Sequence, residues 1–298
     1  MMKPLFLETS ILVAQTVKIH ALKDITIDSV KGRWRYASTY AILEYYRAVV
    51  RKIDRVQEFV NSSRSVADAL SLIELRSGSS FNPRMPAMYR TLLIKAIKEV
   101  EDGFDTWYSN MEPDYQKARA EAVSDILDGI KCEWRQRLGE HVDSWVNETG
   151  CKRVEELLIL RPDRGDRLQL KCSRKNIECN LIDLLQKHRS KLEALRQYII
   201  SLPKSRPKSE KGVPPQPWET TELKDMAGAI NRFLKDEKSA GNYSTGCRRF
   251  ADLLHALEAL EINEIYSLNY KEFRSLCRSL NLPFLFQPHD ASAPYPLP

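Results

Sequence analysis

Segments with strand character lie at the two ends of this chain, and helical patterns fill the length between them. The apolar run before Glu8 predicts one strand near the N-terminus, and the stretches EIYSL and LPFLF predict two more near the C-terminus. A single sheet can unite strands so far apart only if helices cross between them, which is the α/β arrangement. We therefore expect an α/β fold with a central parallel sheet flanked by helices, in a chain that is helix-rich overall.

Apolar residues between these ends recur with helical spacing, and glycine is sparse at 11 residues. In the stretch after Ala37 the apolar positions from Ile42 to Val60 share one helical face. The weaker pattern from Leu157 to Leu170 is compatible with a short hairpin. The helices that periodicity predicts span 37–60, 65–76, 86–108, 113–138, 140–148, 178–201, 222–238, 248–261 and 270–280.

The composition is that of a globular protein with a substantial core, since 43% of its 298 residues are hydrophobic. No stretch has the length of a membrane span or the pattern of a secretory leader, so we expect a cytoplasmic location and no membrane association. The six cysteines are far apart and form no CxxC pair, which favours free thiols. A zinc site of Cys172, Cys179 and His188 is the weaker alternative, because this spacing matches no defined ligand pattern.

Positive charge is concentrated in one segment of the chain. The net charge is +6, and between Lys131 and Lys211 there are 19 Lys and Arg against 12 Asp and Glu. The densest part, RPDRGDRLQLKCSRK, begins at Arg161. A run of this kind can follow a phosphate backbone, although a solvated surface is the ordinary explanation of a charge run. The candidate phosphate-binding residues in it are Arg161, Arg164, Arg167 and Lys171.

One acid lies where a ligand site of such a sheet is expected, at the carboxyl end of a strand, and three other polar residues could join it. Glu8 ends the first strand, Glu44 lies on the rim of an apolar helical face, Asp252 is in the first turn of a helix, and Asn269 follows a strand. Each also has an ordinary explanation: a solvated acid, an acid favoured by the helix dipole, or a turn residue. Singly, none of them defines a site.

Taken in order, the stretches around these four residues resemble the PIN-domain nucleases, the family that includes the VapC toxins. FLETSILV resembles the family's first-strand stretch, with Glu8 in place of the usual Asp. Glu44 matches the acid of an early helix, FADLLHALEA matches the helix that the third acid opens, and SLNYKEF followed by LPFLFQP matches the last element. The resemblance covers about 50 residues at the N-terminus and about 65 at the C-terminus.

The resemblance implies a PIN-like domain made of 1–109 and 222–288. Glu44 and Asp252 are 208 positions apart (252 − 44), several times the family's usual separation, so a large insertion lies between them. We expect this insertion at 110–221, mainly helical and basic. It ends in a linker with five prolines between Pro203 and Thr221, and a disordered tail covers 289–298.

The resemblance also implies a metal-dependent endoribonuclease of the toxin or defence type that uses Mg²⁺ or Mn²⁺ on RNA. Glu8 and Asp252 would bind the metal directly, Glu44 would bind it or orient a water, and Asn269 would hold a metal-bound water or contact one of the ligands. Thr9 and Ser10 would contact a phosphate or brace the first acid. For His255, three residues after Asp252, a structural role is preferred to one facing the substrate. Besides RNA, the resemblance implies an antitoxin or other protein partner, or a homodimer.

Two other classes of protein remain as alternatives. A PIN-like scaffold with a weakened site would serve as an RNA-binding or protein-docking module, and the longer Glu8 in place of Asp favours that possibility. A small-molecule hydrolase on another α/β fold would need a G-x-S-x-G elbow or a phosphate-cradling glycine loop, and the sequence has neither. The acids of EVEDGFD at 99–105 are spread along a helix, so we interpret them as surface.

Overall fold

The structure is a computed structural model, and it describes residues 2–17, 22–45, 49–77, 84–103, 114–146, 148, 180–201, 221–237 and 250–285. The strands are β1 Lys3–Leu7, β2 Arg33–Ser38, β3 Ser144–Val146, β4 Ile265–Tyr266 and β5 Phe284–Leu285. The helices up to residue 140 are α1 Thr9–Thr16, α2 Lys23–Ser29, α3 Thr39–Tyr45, α4 Arg51–Ser62, α5 Val66–Ser77, α6 Arg84–Gly103 and α7 Asp114–Glu140. Those after it are α8 Leu181–Lys187, α9 Arg189–Ser201, α10 Thr221–Lys235, α11 Ala251–Ala259 and α12 Tyr270–Leu280.

The five strands form one parallel sheet in the order β3-β2-β1-β4-β5. In β1, Leu5, Phe6 and Leu7 are completely buried, as expected for the central strand of a parallel sheet that is covered on both faces. Strand β1 pairs with β2 on one side and β4 on the other, so the strand order reverses at this point. A reversal of this kind opens a crevice at the carboxyl ends of the two strands, where open α/β sheets bind their ligands.

The chain is divided into two compact units, and the first contains the sheet. This sheet unit comprises the described residues of Met1–Leu12, Asp24–Leu43 and His141–His289. Within it α11 packs against α12, and α9 packs against both α10 and α12. The apolar side chains that these helices bury include Leu192, Leu195, Ile230, Phe233, Leu253, Leu257, Phe273 and Leu276.

The second unit is helical and comprises the described residues of Val13–Lys23 and Glu44–Glu140. Its helices α4, α5, α6 and α7 pack against one another around apolar side chains that include Ile53, Val56, Leu92, Leu93, Leu127 and Trp134. Lys131 is one of the cations buried in this unit, and its Nζ lies 3.0 Å from Asp54 Oδ1, 2.7 Å from Asp128 Oδ1 and 2.6 Å from Gln57 Oε1. A buried ammonium needs such partners to offset its lost hydration.

Three described residues with positive φ lie between helices and strands of the sheet: Gly32, Asn263 and Asn281. Gly32, at φ 71°, lies between α2 and β2, where a residue without Cβ adopts the left-handed conformation easily. Asn281, at φ 55°, ends α12, and the next N–H, of Leu282, donates to Cys277 O at 2.8 Å. This is a common helix ending, and it directs the chain into β5.

The α/β class, the parallel sheet and the helix-rich character predicted from the sequence are confirmed. The strands expected before Glu8 and in EIYSL and LPFLF are β1, β4 and β5. Most predicted helices are also present, as α5, α6, α7, α10, α11 and α12. The PIN-like identity of the fold remains a prediction.

Four local expectations were wrong or incomplete. The segment predicted as a helix over 140–148 contains strand β3, and strand β2 was not predicted at all. The helix predicted over 37–60 begins at Thr39, and its described parts are α3 and α4. The helix predicted over 178–201 is two helices, which meet at His188.

The predicted domain bounds at 109/110 and 221/222 differ from those of the two compact units, whose boundaries fall at 12/13, 23/24, 43/44 and 140/141. The domain assignment therefore stays a prediction. Three predicted features lie outside the described residues: the hairpin near 157–170, the proline-rich linker and the tail over 289–298. Thr221, the last residue of the linker, is the exception and is described. Among the described helices, none is both long and apolar enough to cross a membrane.

Candidate metal centre

Glu8 occupies the junction between the central strand and the first helix. Its N–H donates to Tyr266 O at 3.0 Å, which extends the pairing of β1 and β4 by one residue. Its carbonyl accepts the N–H groups of Ile11 and Leu12 at 3.0 and 3.3 Å, and so begins α1. The backbone therefore fixes Glu8 at the carboxyl edge of the sheet, beside the crevice between β1 and β4.

Hydroxyl and amide donors converge on the Glu8 carboxylate, which is only 6% exposed. Oε2 accepts hydrogen bonds from Ser10 N at 3.0 Å, from Ser267 Oγ at 3.0 Å and from Ser10 Oγ. A buried carboxylate needs such donors to compensate for lost hydration. These bonds also restrict the rotamer of Glu8 and orient the carboxyl group.

The two serine hydroxyls are themselves held by backbone that follows β4. Leu268 N donates to Ser10 Oγ at 3.0 Å, and Asn269 N donates to Ser267 Oγ at 2.9 Å. Each hydroxyl therefore accepts a backbone N–H while it donates its proton to Glu8. The loop after β4 and the start of α1 form one hydrogen-bonded network around the carboxylate.

His255 is a second buried polar group in this region, and it is completely inaccessible to solvent. It lies on α11, and its Nε2 is 3.2 Å from Thr9 Oγ1, a hydrogen-bond distance. The rings of Tyr40 and Phe6 lie beside it, with centroids 5.4 and 6.2 Å from the imidazole centroid. The imidazole is thus confined between a hydroxyl and two aromatic rings.

Glu8, Glu44 and His255 form a cluster that could hold a metal ion. One carboxylate oxygen from each acid and one imidazole nitrogen all lie within 4.8 Å of one another. Glu44 lies on α3, a helix that begins in the sheet unit at Thr39 and continues without a break to Glu44. Ligand atoms at such spacing can contact one ion at the bond lengths of about 2.0–2.3 Å usual for Mg²⁺ and first-row metals.

The structure brings some of the predicted site residues together. Glu8 and Glu44 belong to the cluster, and Ser10 braces the Glu8 carboxylate. Asn269 precedes α12, and its N–H reaches the network through Ser267. Thr9 contacts His255.

Asp252 does not belong to that cluster. It lies in the first turn of α11, half-buried, one helical turn before His255. Its role as a metal ligand stays a prediction. The basic residues proposed to contact phosphate, Arg161, Arg164, Arg167 and Lys171, lie outside the described residues.

The sequence did not predict that two of the residues at this site belong to it. His255 was expected to be structural, although its spacing of three residues from Asp252 indicated the same side of the helix. Sequence patterns alone did not identify Ser267 as part of a site. Its position directly before Leu268 and Asn269, at the carboxyl end of a predicted strand, was the available signal.

Tyr266 lies next to the network on β4 but does not supply a proton-transfer group near neutral pH. Burial raises the pKa of its phenol above the ordinary value of 10.0. The phenol O–H instead donates to Ser29 Oγ at 3.4 Å. The chemistry of the centre therefore rests on the carboxylates and the imidazole.

Comparison with known protein-family models, curated protein sequences and solved structures finds no match to this chain. The resemblance to the PIN-domain nucleases thus rests on the four sequence motifs alone. Function has to be argued from the geometry of the centre.

Proposed function

We propose that this protein is a metal-dependent endoribonuclease that hydrolyses phosphodiester bonds in RNA with Mg²⁺ or Mn²⁺. The observation that carries the proposal is the convergence of Glu8, Glu44 and His255 within 4.8 Å beside the carboxyl end of β1. Strand order reverses at β1, and such reversals are where parallel α/β sheets bind ligands. A cluster of metal-ligating groups at this position could hold an ion next to a bound substrate.

The donor set fits a divalent ion. Carboxylate oxygens are the ligands that Mg²⁺ and Mn²⁺ prefer, and the two acids balance the charge of one divalent ion. A bound ion of this kind lowers the pKa of an attacking water and neutralises charge that develops on a phosphate. Both effects are needed for phosphodiester hydrolysis.

The remaining roles belong to residues of this chain. Ser10 and Ser267 orient the Glu8 carboxylate through its Oε2 atom, so that Glu8 presents a fixed ligand. Asp252 is the proposed additional ligand or water-orienting acid, because it lies one helical turn from His255. We assign to Asn269 the positioning of a water or a phosphate oxygen. Thr9 would hold the ring of His255.

In the proposed reaction one water molecule is added across a P–O bond. The water oxygen forms a bond to phosphorus, the P–O bond to the leaving oxygen breaks, and that oxygen receives a proton. The basic run with Arg161, Arg164, Arg167 and Lys171 would hold the RNA backbone by charge. An antitoxin or other protein partner and a homodimer are further proposals that rest on the resemblance alone.

A binding module is the second candidate, and the identity of residue 8 favours it. Glu is longer than the family's usual Asp by one methylene, which moves the carboxylate by about 1.5 Å. An octahedral Mg²⁺ site tolerates little displacement of that kind. A protein with such a site would bind RNA or another partner without cutting it.

An RNA cleavage and binding assay tests the proposal. Labelled RNA is incubated with the full chain in Mn²⁺, in Mg²⁺ and in chelator, and RNA binding is measured separately by fluorescence anisotropy. We expect cleavage that needs metal and that falls at least 100-fold in Glu8→Gln, because a ligand of the ion is lost. Glu193→Gln, at an exposed acid on α9, is the matched control and should cleave like the unchanged protein.

Glu8→Asp separates the two candidates. If the longer side chain of Glu8 displaces the metal, Glu8→Asp should cleave RNA faster than the unchanged protein. If the site is built around Glu, Glu8→Asp should cleave RNA more slowly. Metal-independent cleavage, or cleavage that Glu8→Gln does not reduce, would contradict the proposal. RNA binding without cleavage in any of these proteins would establish the binding module instead.

A further inference from the structure

We infer that His255 is a direct ligand of the metal, and that it makes this centre bind a first-row transition ion such as Mn²⁺ in preference to Mg²⁺. The inference deepens the proposed function, since it concerns the same site. It requires metal binding only and does not require that RNA is cut. Its outcome can therefore be separated from that of the cleavage assay.

The position of the imidazole is the first argument. A ring nitrogen of His255 lies within 4.8 Å of a carboxylate oxygen of Glu8 and of one of Glu44. Two ligands of one ion, each with a bond of about 2.1–2.3 Å, are up to about 4.6 Å apart. Small side-chain movements would bring the three atoms into contact with one ion. Asp252 lies one helical turn away and outside this group.

The surroundings of the ring are the second argument. His255 is completely buried, yet it lies next to carboxylates instead of among apolar side chains alone. Thr9 Oγ1 bonds Nε2 at 3.2 Å, and the rings of Tyr40 and Phe6 flank the imidazole. In metal-bound histidines the ring nitrogen that does not bind the ion usually makes a hydrogen bond of this kind, which fixes the orientation of the ring. With Thr9 on Nε2, the ligand nitrogen in this inference is Nδ1.

The chemistry of the donors gives the selectivity. Mg²⁺ prefers oxygen ligands, needs nearly ideal octahedral geometry and keeps several waters. An imidazole nitrogen binds first-row transition ions more strongly than it binds Mg²⁺. A centre of two carboxylates and one imidazole therefore favours Mn²⁺ and its heavier neighbours. An all-carboxylate set that included Asp252 would favour Mg²⁺ more.

Pulsed electron paramagnetic resonance of bound Mn²⁺ tests the ligand assignment without an activity assay. A directly bound histidine nitrogen produces a ¹⁴N modulation of the Mn²⁺ spin echo. We expect this modulation in the unchanged protein, and we expect it to disappear in His255→Gln. His188→Gln is the matched control, because His188 is also buried but belongs to the junction of α8 and α9, and it should keep the signal.

Calorimetric titration tests the selectivity on the same proteins. The unchanged protein should bind Mn²⁺ at least 10-fold more tightly than Mg²⁺, and His255→Gln should reduce this ratio mainly by weakening Mn²⁺ binding. Equal affinity for the two ions, or a ratio that His255→Gln leaves unchanged, would overturn the inference. So would Mn²⁺ bound without ¹⁴N modulation, or modulation that persists in His255→Gln.

The test does not depend on whether His255→Gln folds. In the unchanged protein, labelling with ¹⁵N-histidine should replace the ¹⁴N modulation with a ¹⁵N pattern, and an unaltered spectrum would overturn the assignment. Nitrogen-coupled Mn²⁺ in a protein that cuts no RNA would refute the nuclease and leave the ligand assignment standing. RNA cleavage with bound Mn²⁺ that shows no nitrogen coupling would refute the ligand assignment and leave the nuclease standing.

Discussion

The hydroxyl of Ser267 donates a hydrogen bond of 3.0 Å to Oε2 of Glu8, although the two residues are 259 positions apart in the chain. Glu8 directly follows β1 and Ser267 directly follows β4, and these strands are neighbours in the sheet. The parallel pairing therefore places a donor from the C-terminal part of the chain on an acid from the N-terminal part. The candidate centre exists only when both parts share one sheet.

Removal of this donor should weaken both the fold and the centre. In Ser267→Ala the Glu8 carboxylate loses one of its donors and the N–H of Asn269 loses its acceptor. We expect a loss of about 1–3 kcal/mol in the free energy of unfolding, measured with urea, because buried polar groups are left unsatisfied. Mn²⁺ binding should also weaken, since Glu8 is less firmly oriented.

Ser279→Ala is the control for this variant. The Ser279 hydroxyl donates to Leu276 O within its own helix, so its removal should cost well under 1 kcal/mol. Mn²⁺ affinity should not change. An equal effect of the two substitutions on Mn²⁺ affinity would mean that the bond from Ser267 does not orient Glu8.

The ion pair between Arg35 and Asp143 should make stability fall in acid. Side-chain hydrogen bonds from Arg35 lower the pKa of the Asp143 carboxyl below its ordinary value of 3.8. A carboxyl with a lowered pKa stabilises the fold above its ordinary pKa, and this contribution is lost as the pH falls through the lowered value. Asp143→Asn should therefore unfold at lower urea than the unchanged protein at pH 7, by about 1 kcal/mol or less. The difference should shrink at pH 3, and a difference that is equal at both values would contradict this assignment.

Lys52 should destabilise the helical unit at neutral pH. Burial lowers the pKa of its ammonium from 10.5 to about 8, because the charged form is poorly solvated. Below pH 8 the lysine is charged in both the folded and the unfolded chain, so folding bears the full cost of burying that charge. As the pH rises from about 8 to 10.5 the folded lysine is already neutral while the unfolded one is still losing its proton, so the cost declines.

Replacement of Lys52 by Met removes this cost. Lys52→Met should raise the free energy of unfolding at pH 7 by an amount on the order of 1–3 kcal/mol, and the gain should be much smaller at pH 10. Lys98→Met, at an exposed position of α6, serves as the control and should change little at either pH. A gain in Lys52→Met that does not depend on pH would refute the explanation by charge burial.

Binding of metal should raise the melting temperature, because an ion that binds only the folded chain stabilises it by mass action. At a concentration 100 times its dissociation constant, Mn²⁺ would add about 2.7 kcal/mol. Glu8→Gln should lose most of this response and remain at least as stable as the unchanged protein in chelator, because one of two neighbouring negative charges is removed. Glu193→Gln should respond to Mn²⁺ as the unchanged protein does.

Sequence patterns predicted β1, β4 and most helices, because these segments have a clear period or an apolar run between polar ends. They missed β2, since RWRYAS carries two arginines that bond the Lys3 and Pro4 carbonyls, Glu264 and Asp143. Such partners are not visible in a single sequence. For β3 the three-residue SWV is too short to show a period, and its pairing with Tyr36–Ser38 determines its conformation.

The candidate centre was predictable only in part. Glu8 could be placed because an acid at the end of a buried strand is unusual, and Glu44 because the resemblance to the PIN-domain nucleases implies an acid in an early helix. His255 and Ser267 have ordinary local patterns, and their significance comes from strand pairing and from the orientation of α11. These depend on tertiary contacts between segments more than 240 positions apart.

A crystal structure of the full chain with Mn²⁺, with data collected to record the anomalous scattering of that ion, tests the central claim most directly. We predict one anomalous peak with a carboxylate oxygen of Glu8, one of Glu44 and a ring nitrogen of His255 each within about 2.0–2.4 Å. The peak should be absent in Glu8→Gln. A crystal that binds Mn²⁺ elsewhere, or leaves this position without a peak at concentrations that saturate the protein in solution, would contradict the account.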